Sequence, residues 1–238
     1  MSSDERVIVA LDYSNEQTAL ETVHELGDSA IYYKVGMELY YTAGNEIIKA
    51  LKKLNKKVFL DLKLHDIPNT VAKSLGVLTA LGVDMLNVHA GGGLVMMSRA
   101  AEEVRAAAQR LNLTPPKVIA VTVLTSIDEK EWDNLHYQHD IKKQVVELAL
   151  LAKRAGLDGV VASPQEASAI RQACGNDFLI VTPGVRPEGA AANDQSRIAT
   201  PLGAILSGAT HLVVGRPITQ AKDKEAAARS VVAEIRGI

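Results

Sequence analysis

Cross-links and charge of one sign are both scarce in this sequence. There is one cysteine, Cys174, so no internal disulfide can form, as a reducing cytoplasm permits; the thiol reads as structural rather than catalytic. Lys and Arg total 26 against 28 Asp and Glu, a formal net charge of -2. That balance excludes a general attraction to nucleic acid or to an anionic membrane, and any anionic ligand has to be held locally. Long hydrophobic runs are missing too, because charges, Gly or Pro interrupt every apolar segment before the roughly 20 residues that span a bilayer. The opening Met1-Ser2-Ser3-Asp4-Glu5-Arg6 lacks the basic-then-apolar order of a signal peptide. The expectation is a cytoplasmic protein with no membrane and no nucleic-acid partner. No Pro/Gly/Ser-rich linker divides the chain, and the single low-complexity tract, Gly189-Ala190-Ala191-Ala192, reads as a mobile loop.

What is present is a repeated pattern. Short β-branched runs recur at Val7 to Leu11, Ile31 to Val35, Val58 to Leu62, Met85 to Val88, Val118 to Val123, Gly159 to Ala162, Leu179 to Val181 and Leu212 to Val214. Segments of helical periodicity separate them, as in Val145, Leu148, Ala149 and Ala152 before the stop at Gly156. Three junctions repeat one another: Gly82-Val83-Asp84, Gly156-Leu157-Asp158 and Gly208-Ala209-Thr210 each stand just before a buried run. Strict alternation implies parallel strands with right-handed crossovers, and eight units without an extra domain's worth of residues favour closure. The expected fold is α/β, a single (β/α)8 TIM barrel spanning residues 1–238 as one catalytic domain; an open doubly wound sheet is the fallback.

The third run ends Asp61-Leu62-Lys63-Leu64-His65-Asp66. A period of two puts Asp61 and Lys63 on one face, pointing together into the barrel mouth, with Asp66 just beyond. A carboxylate and an ammonium there are costly to desolvate unless paired. A structural ion pair is the bland reading, but Asp12 and Lys34 end the first and second runs, so three successive strands deliver ionisable groups to one rim. Taken singly, Asp12 competes with an N-cap role and Lys34 with a snorkelling surface lysine. The eighth run leads into Gly215-Arg216-Pro217, where glycine admits an anion to the backbone and arginine grips phosphate oxygens. The seventh leads into Thr182-Pro183-Gly184-Val185-Arg186, then the Ala/Gly tract, Gln195 and Arg197, a lid carrying a second arginine and an amide at the usual phosphate corner of barrels. Thr125 and Ser126 after the fifth run are weaker candidates for hydrogen bonds to a heterocyclic base. His136 and His139 beside Trp132 read as a surface segment rather than a metal site, and His65 and His89, which follow strand ends, read as supporting hydrogen-bond groups at least as readily as catalytic ones.

These residues carry a resemblance to the orotidine 5'-monophosphate decarboxylase family over essentially the whole chain. Its most specific stretch is Asp61-Leu62-Lys63-Leu64-His65-Asp66-Ile67-Pro68-Asn69-Thr70, joined by Ala10-Leu11-Asp12, Tyr33-Lys34-Val35-Gly36, Thr182 to Arg186 and Val214 to Pro217. The resemblance implies conversion of orotidine 5'-monophosphate to uridine 5'-monophosphate and carbon dioxide, a step of pyrimidine nucleotide synthesis, with no metal and no organic cofactor. By carry-over, Lys63 is the proton donor to C6 within a charge network of Lys34, Asp61 and Asp66. Asp12 and Lys34 meet the ribose, Thr125 and Ser126 the base, and Arg186, Gln195, Gly215 and Arg216 the phosphate. Asp66 and Thr70 are implied to reach the other subunit's site, which makes the functional unit a homodimer. The nearest alternatives are a magnesium-dependent sugar-phosphate decarboxylase or synthase sharing the Asp-x-Lys-x-x-Asp strand, a Schiff-base aldolase using Lys63, and a nucleotide-binding module without catalysis.

Overall fold

The computed structural model describes residues 3–187 and 199–237. Its first half runs β1 (Val7–Leu11), α1 (Glu16–Leu26), β2 (Tyr32–Gly36), α2 (Met37–Ala43), α3 (Asn45–Lys53), β3 (Lys57–Leu64), α4 (Pro68–Thr79), β4 (Met85–His89) and α5 (Gly93–Leu111). The second half follows with β5 (Lys117–Val121), α6 (Glu129–Asn134), α7 (Ile141–Arg154), β6 (Gly159–Val161), α8 (Ala167–Cys174), β7 (Leu179–Thr182), α9 (Pro201–Leu206), β8 (His211–Val214), α10 (Arg216–Thr219) and α11 (Lys224–Arg236). Every strand pairs in parallel with its neighbours in sequence, and β8 returns to β1, so the sheet closes. The expected eight-stranded barrel is the observed one. Boundaries differ by up to two residues: β3 runs on to Leu64 and β5 stops at Val121.

Side-chain alternation divides the apolar residues into two cores. Ile8, Ala10, Tyr32, Phe59, Met85, Ile119, Val181 and Val213 fill the interior of the cylinder, while the larger cluster lies between sheet and helices. Space inside is tight enough to select glycine at one point. A Cβ on Gly159 would stand 2.3 Å from the Leu179 carbonyl oxygen, so β6 passes β7 only without a side chain there. Helices start at polar caps: Asn15, Asp128, Asp140, Thr200 and Asp223 each accept a hydrogen bond from a backbone N–H of the first turn.

The three repeated junctions have a common task. The carboxylate of Asp84, just before β4, accepts from the backbone N–H of Val58 in β3 at 2.8 Å. Asp158, before β6, does the same for Val118 of β5 at 2.8 Å, and the Thr210 hydroxyl, before β8, for Ile180 of β7 at 2.9 Å. A side chain at the foot of β4, β6 and β8 therefore covers an N–H of the odd strand preceding it. Lys52 and Lys117 balance the two carboxylates. Asp84→Ala leaves the buried Val58 N–H without this acceptor and is expected to destabilise the fold by about 1–3 kcal/mol. Urea unfolding measures this directly, and a midpoint equal to wild type would show that the foot of the barrel does not need this bond.

Candidate active site

The interior parity of each strand, followed one step past the apolar residues, arrives at the charged groups. On β1, Ile8 and Ala10 are followed by Asp12; on β2, Tyr32 by Lys34; on β3, Phe59 by Asp61; on β4, Met85 by Asn87. The C-terminal end of the cylinder thus carries a polar layer on an apolar floor. Lys34 Nζ donates to Asp12 Oδ1 at 2.8 Å and lies 3.4 Å from Asp61 Oδ2, and Lys63 Nζ donates to Asp61 Oδ1 at 2.7 Å. The result is an alternating line, Asp12, Lys34, Asp61, Lys63.

Burial makes this line consequential. The Lys34 and Asp61 side chains are only 12% and 10% exposed, whereas Asp12 at 62% faces open solvent. Burial by itself pushes the Asp61 carboxyl up, yet the Lys34 and Lys63 ammoniums, with hydrogen bonds from Lys63 and Asn87, outweigh it and hold the group below the ordinary aspartate value. For Lys34, burial lowers the ammonium's value while Asp61 and Asp12 raise it more, so its charge is favoured. Gly36 matters here: a Cβ at that position would stand 3.1 Å from Lys34 Nζ and crowd the ammonium. The readings of Lys34 as a surface lysine and of Asp12 as a helix cap both fail, since Asn15 caps α1.

Lys63 reaches Asp61 by a route that simple alternation does not describe. Leu60 pairs with Leu86 and Leu64 with Val88, so β3 advances four residues while β4 advances two, and Lys63 sits in the left-handed region at φ 53°. That conformation costs an L-residue about 1–2 kcal/mol. The strand is bulged, and the bulge rather than the period of two aims the ammonium.

The line of charges forms one wall of a cavity of about 490 Å³, within the range of small-molecule sites. Phe59, Val121, Val161 and Val213 contribute to the floor, Thr125 stands after β5, and Arg186, Gly215 and Arg216 close the side after β7 and β8. Arg186 is buried, and its backbone N–H donates to the Ala199 carbonyl at 2.9 Å, joining the described chain on either side of residues 188–198.

A family model described as "Orotidine 5'-phosphate decarboxylase / HUMPS family" matches residues 5–231. The chain belongs to the orotidine 5'-phosphate decarboxylase / HUMPS family. An orotidine 5'-phosphate decarboxylase of Moorella thermoacetica is 50% identical over 236 residues, covering 99% of this chain and 94% of that protein. One from Nitrosococcus oceani is 48% identical over 233 residues, covering 98% of each. Among solved structures, the crystal structure of orotidine 5'-phosphate decarboxylase from Lactobacillus acidophilus superimposes with a TM-score of 0.87 at 42% identity, covering 98% of this chain and 99% of that one.

Of the residues that the family resemblance singles out, the structure gathers Asp12, Lys34, Asp61, Lys63, Thr125, Arg186, Gly215 and Arg216 around one cavity. Ser126 is exposed and is not among the residues lining the cavity. Asp66 and Thr70 are exposed at the start of α4, and Asp66 Oδ1 accepts from the N–H of Ile67 at 2.6 Å. Within one chain Asp66 is therefore not placed in the charge line. Gln195, Arg197 and the Ala/Gly tract lie outside the described residues. His65 and His89 face each other with ring centroids 5.4 Å apart, also off the cavity wall. Trp132 is buried, stacks on Tyr137 and donates to the His139 carbonyl, while Asp133 to His136 stay exposed.

Two polar residues escaped the sequence reading. Gln220, after α10, lines the cavity. Asn87, 1% exposed, donates from Nδ2 to Asp61 Oδ1 at 2.7 Å and accepts at Oδ1 from the Lys63 N–H at 2.8 Å. Its signal was available: it stands two residues after Met85, at interior parity in an otherwise apolar run.

Removing one member of the buried line has a defined sign. Lys34→Met strips Asp61 of one of its two cations, and breaking a buried pair from one side costs about 3–5 kcal/mol. A carboxyl held below its unfolded value gives stability that is fully present above that value, near pH 4, and is lost as pH falls through the folded one. In the variant the folded value moves up. The deficit against wild type is thus expected to be full at pH 7 and to shrink as Asp61 protonates in acid. Urea unfolding at pH 7 and below pH 4 tests this; a deficit independent of pH would assign the loss to packing instead.

Proposed function

We propose that this chain decarboxylates orotidine 5'-monophosphate to uridine 5'-monophosphate and carbon dioxide, with Lys63 as the proton donor to C6. The observation that carries the reading is the line Asp12, Lys34, Asp61, Lys63 on the wall of the same cavity that holds Arg186 and Arg216. Family membership and the full-length relatives named for this activity support it.

Breaking the bond between C6 and the carboxylate releases carbon dioxide and leaves an electron pair in the plane of the pyrimidine ring, where it cannot delocalise into the π system. A barrier of this type needs the upper part of the roughly 8–23 kcal/mol that enzymes supply. Charge fixed in advance is one source of it. An ammonium tied to Asp61 at 2.7 Å is already oriented when the carbanion develops, so no reorganisation is needed at that moment. The electron pair on C6 then takes a proton from Lys63 Nζ, and the neutral amine recovers one from solvent. Asp12 and Lys34 are assigned to the ribose, Thr125 and Ser126 to the base, and Arg186, Gln195, Gly215 and Arg216 to the phosphate. Because the phosphate lies far from C6, its binding assists chemistry only by fixing the nucleotide against the charge line.

The same reading makes the functional unit a homodimer in which Asp66 and Thr70 complete the partner subunit's site. Exposed apolar side chains are consistent with a covered surface: Ile67 at 66% and Val77 at 69% stand near them in the chain, and Val95 at 65% is on α5, which packs against α4. No helix among the described residues is long and apolar enough to cross a membrane.

Loss of orotidine 5'-monophosphate absorbance, followed in the presence of a chelator, tests the reaction. Wild type is expected to turn over and Lys63→Ala to lose roughly 10³-fold or more in kcat; a wild type that is inert, or a Lys63→Ala that keeps its rate, overturns the assignment. Arg216→Ala should weaken reaction of the nucleotide far more than reaction of orotidine lacking phosphate. The shared site has its own test. Equal mixing of Lys63→Ala with Asp66→Ala, each inactive alone, should restore about one quarter of wild-type activity through hybrid dimers with one intact site.

A further inference from the structure

We propose that Asn87 is a positioning residue for this reaction, a two-ended brace that keeps the Lys63 ammonium aimed by holding the bulge of β3 and the Asp61 carboxylate together. The proposal rests on the reading of Lys63 as the proton donor.

The position is one that the fold would ordinarily fill with an apolar side chain. Asn87 follows Met85 at interior parity on β4, and its neighbours Leu86 and Val88 are fully buried in the outer core. A buried amide there has to satisfy both of its ends. Both go to β3: Nδ2 to Asp61 Oδ1 at 2.7 Å, and Oδ1 to the N–H of Lys63 at 2.8 Å. The two ends are chemically distinct, so the amide fits one way round only. Reversed, its oxygen would face a carboxylate and its NH2 a backbone N–H. An aspartate would bring a second carboxylate against Asp61, and a leucine would leave the N–H and the carboxylate oxygen without these bonds.

The bond to Lys63 falls where the backbone most needs one. Lys63 is the residue at φ 53°, inside the stretch where β3 loses register with β4. A regular ladder leaves the N–H of a bulged residue without an acceptor, and the side-chain amide oxygen of Asn87 supplies one. Asp61 Oδ1 at the same time accepts from Asn87 and from Lys63 Nζ, while Oδ2 faces Lys34. The carboxylate cannot swing about its terminal torsion without giving up one of these. Asn87 itself is not on the cavity wall. Its effect on chemistry has to pass through Lys63 and Asp61.

Steady-state kinetics and crystal structures of Asn87→Ala and Asn87→Asp test this. For Asn87→Ala, kcat is expected to fall about 10²-fold, the scale of a misplacement near 1 Å, with KM and the affinity for uridine 5'-monophosphate within about threefold of wild type. Lys63 should leave its left-handed conformation, and Nζ should move away from Asp61. Asn87→Asp retains an acceptor for the Lys63 N–H but sets a second carboxylate against Asp61, so Lys63 is expected to keep its left-handed conformation while kcat still falls about tenfold or more; it decides the matter if Asn87→Ala does not fold. A folded variant with kcat within about threefold of wild type, a loss confined to KM, or an Asn87→Ala crystal structure with Lys63 unmoved overturns the proposal. If wild type fails to decarboxylate the nucleotide, the functional reading falls, and the position of Lys63 in the two crystal structures alone decides the brace.

Discussion

A carboxylate almost entirely removed from water is the constraint around which this barrel mouth is arranged. Asp61 is 7% exposed, and an ionised group at that depth persists only where donors replace the solvent it has lost. Lys34 from β2, Lys63 from its own strand and Asn87 from β4 supply them. Each has its own dependent: Lys34 also pairs with Asp12 from β1 and would be crowded by a side chain at Gly36, and Asn87 bonds the backbone of Lys63 within the bulge. Four consecutive strands are thereby committed to one anion. Stability and reactivity are coupled through it, since the interactions that make its burial tolerable are those that hold an ammonium at the cavity.

Much of this was readable from residue order. The eight buried runs and their helical spacers specified the closed sheet because parallel strands covered on both sides leave continuous β-branched stretches. The rim charges Asp12, Lys34 and Asp61 were legible because they extend the interior parity of their strands. Lys63 was matched with its partner for an incomplete reason. Periodicity assumes a regular backbone, and β3 is bulged at that residue, a feature that depends on a side chain from another strand 24 residues away. Asn87 was passed over on the same grounds: an amide inside an apolar run has no chemistry to advertise until its two partners are known. Asp66 and Thr70 are exposed on a single chain and do not line the cavity, so the rim charges do not single them out.

The near-neutral overall charge fits this arrangement. A protein with no excess of cationic groups does not gather anions over its whole surface; around the cavity Lys34 and Lys63 are paired with Asp12 and Asp61, while Arg186 and Arg216 stand together on the side after β7 and β8. The apolar floor of Phe59, Val121, Val161 and Val213 keeps the dielectric low beneath them, which strengthens each fixed charge.

The side-chain caps at the opposite end of the cylinder carry a separate implication. Asp84, Asp158 and Thr210 tie β4 to β3, β6 to β5 and β8 to β7, so anchorage is concentrated where no chemistry occurs. Such a division of labour lets the loops at the open rim be exchanged, lengthened or retuned for a different phosphorylated substrate while the stitched base continues to specify the same cylinder.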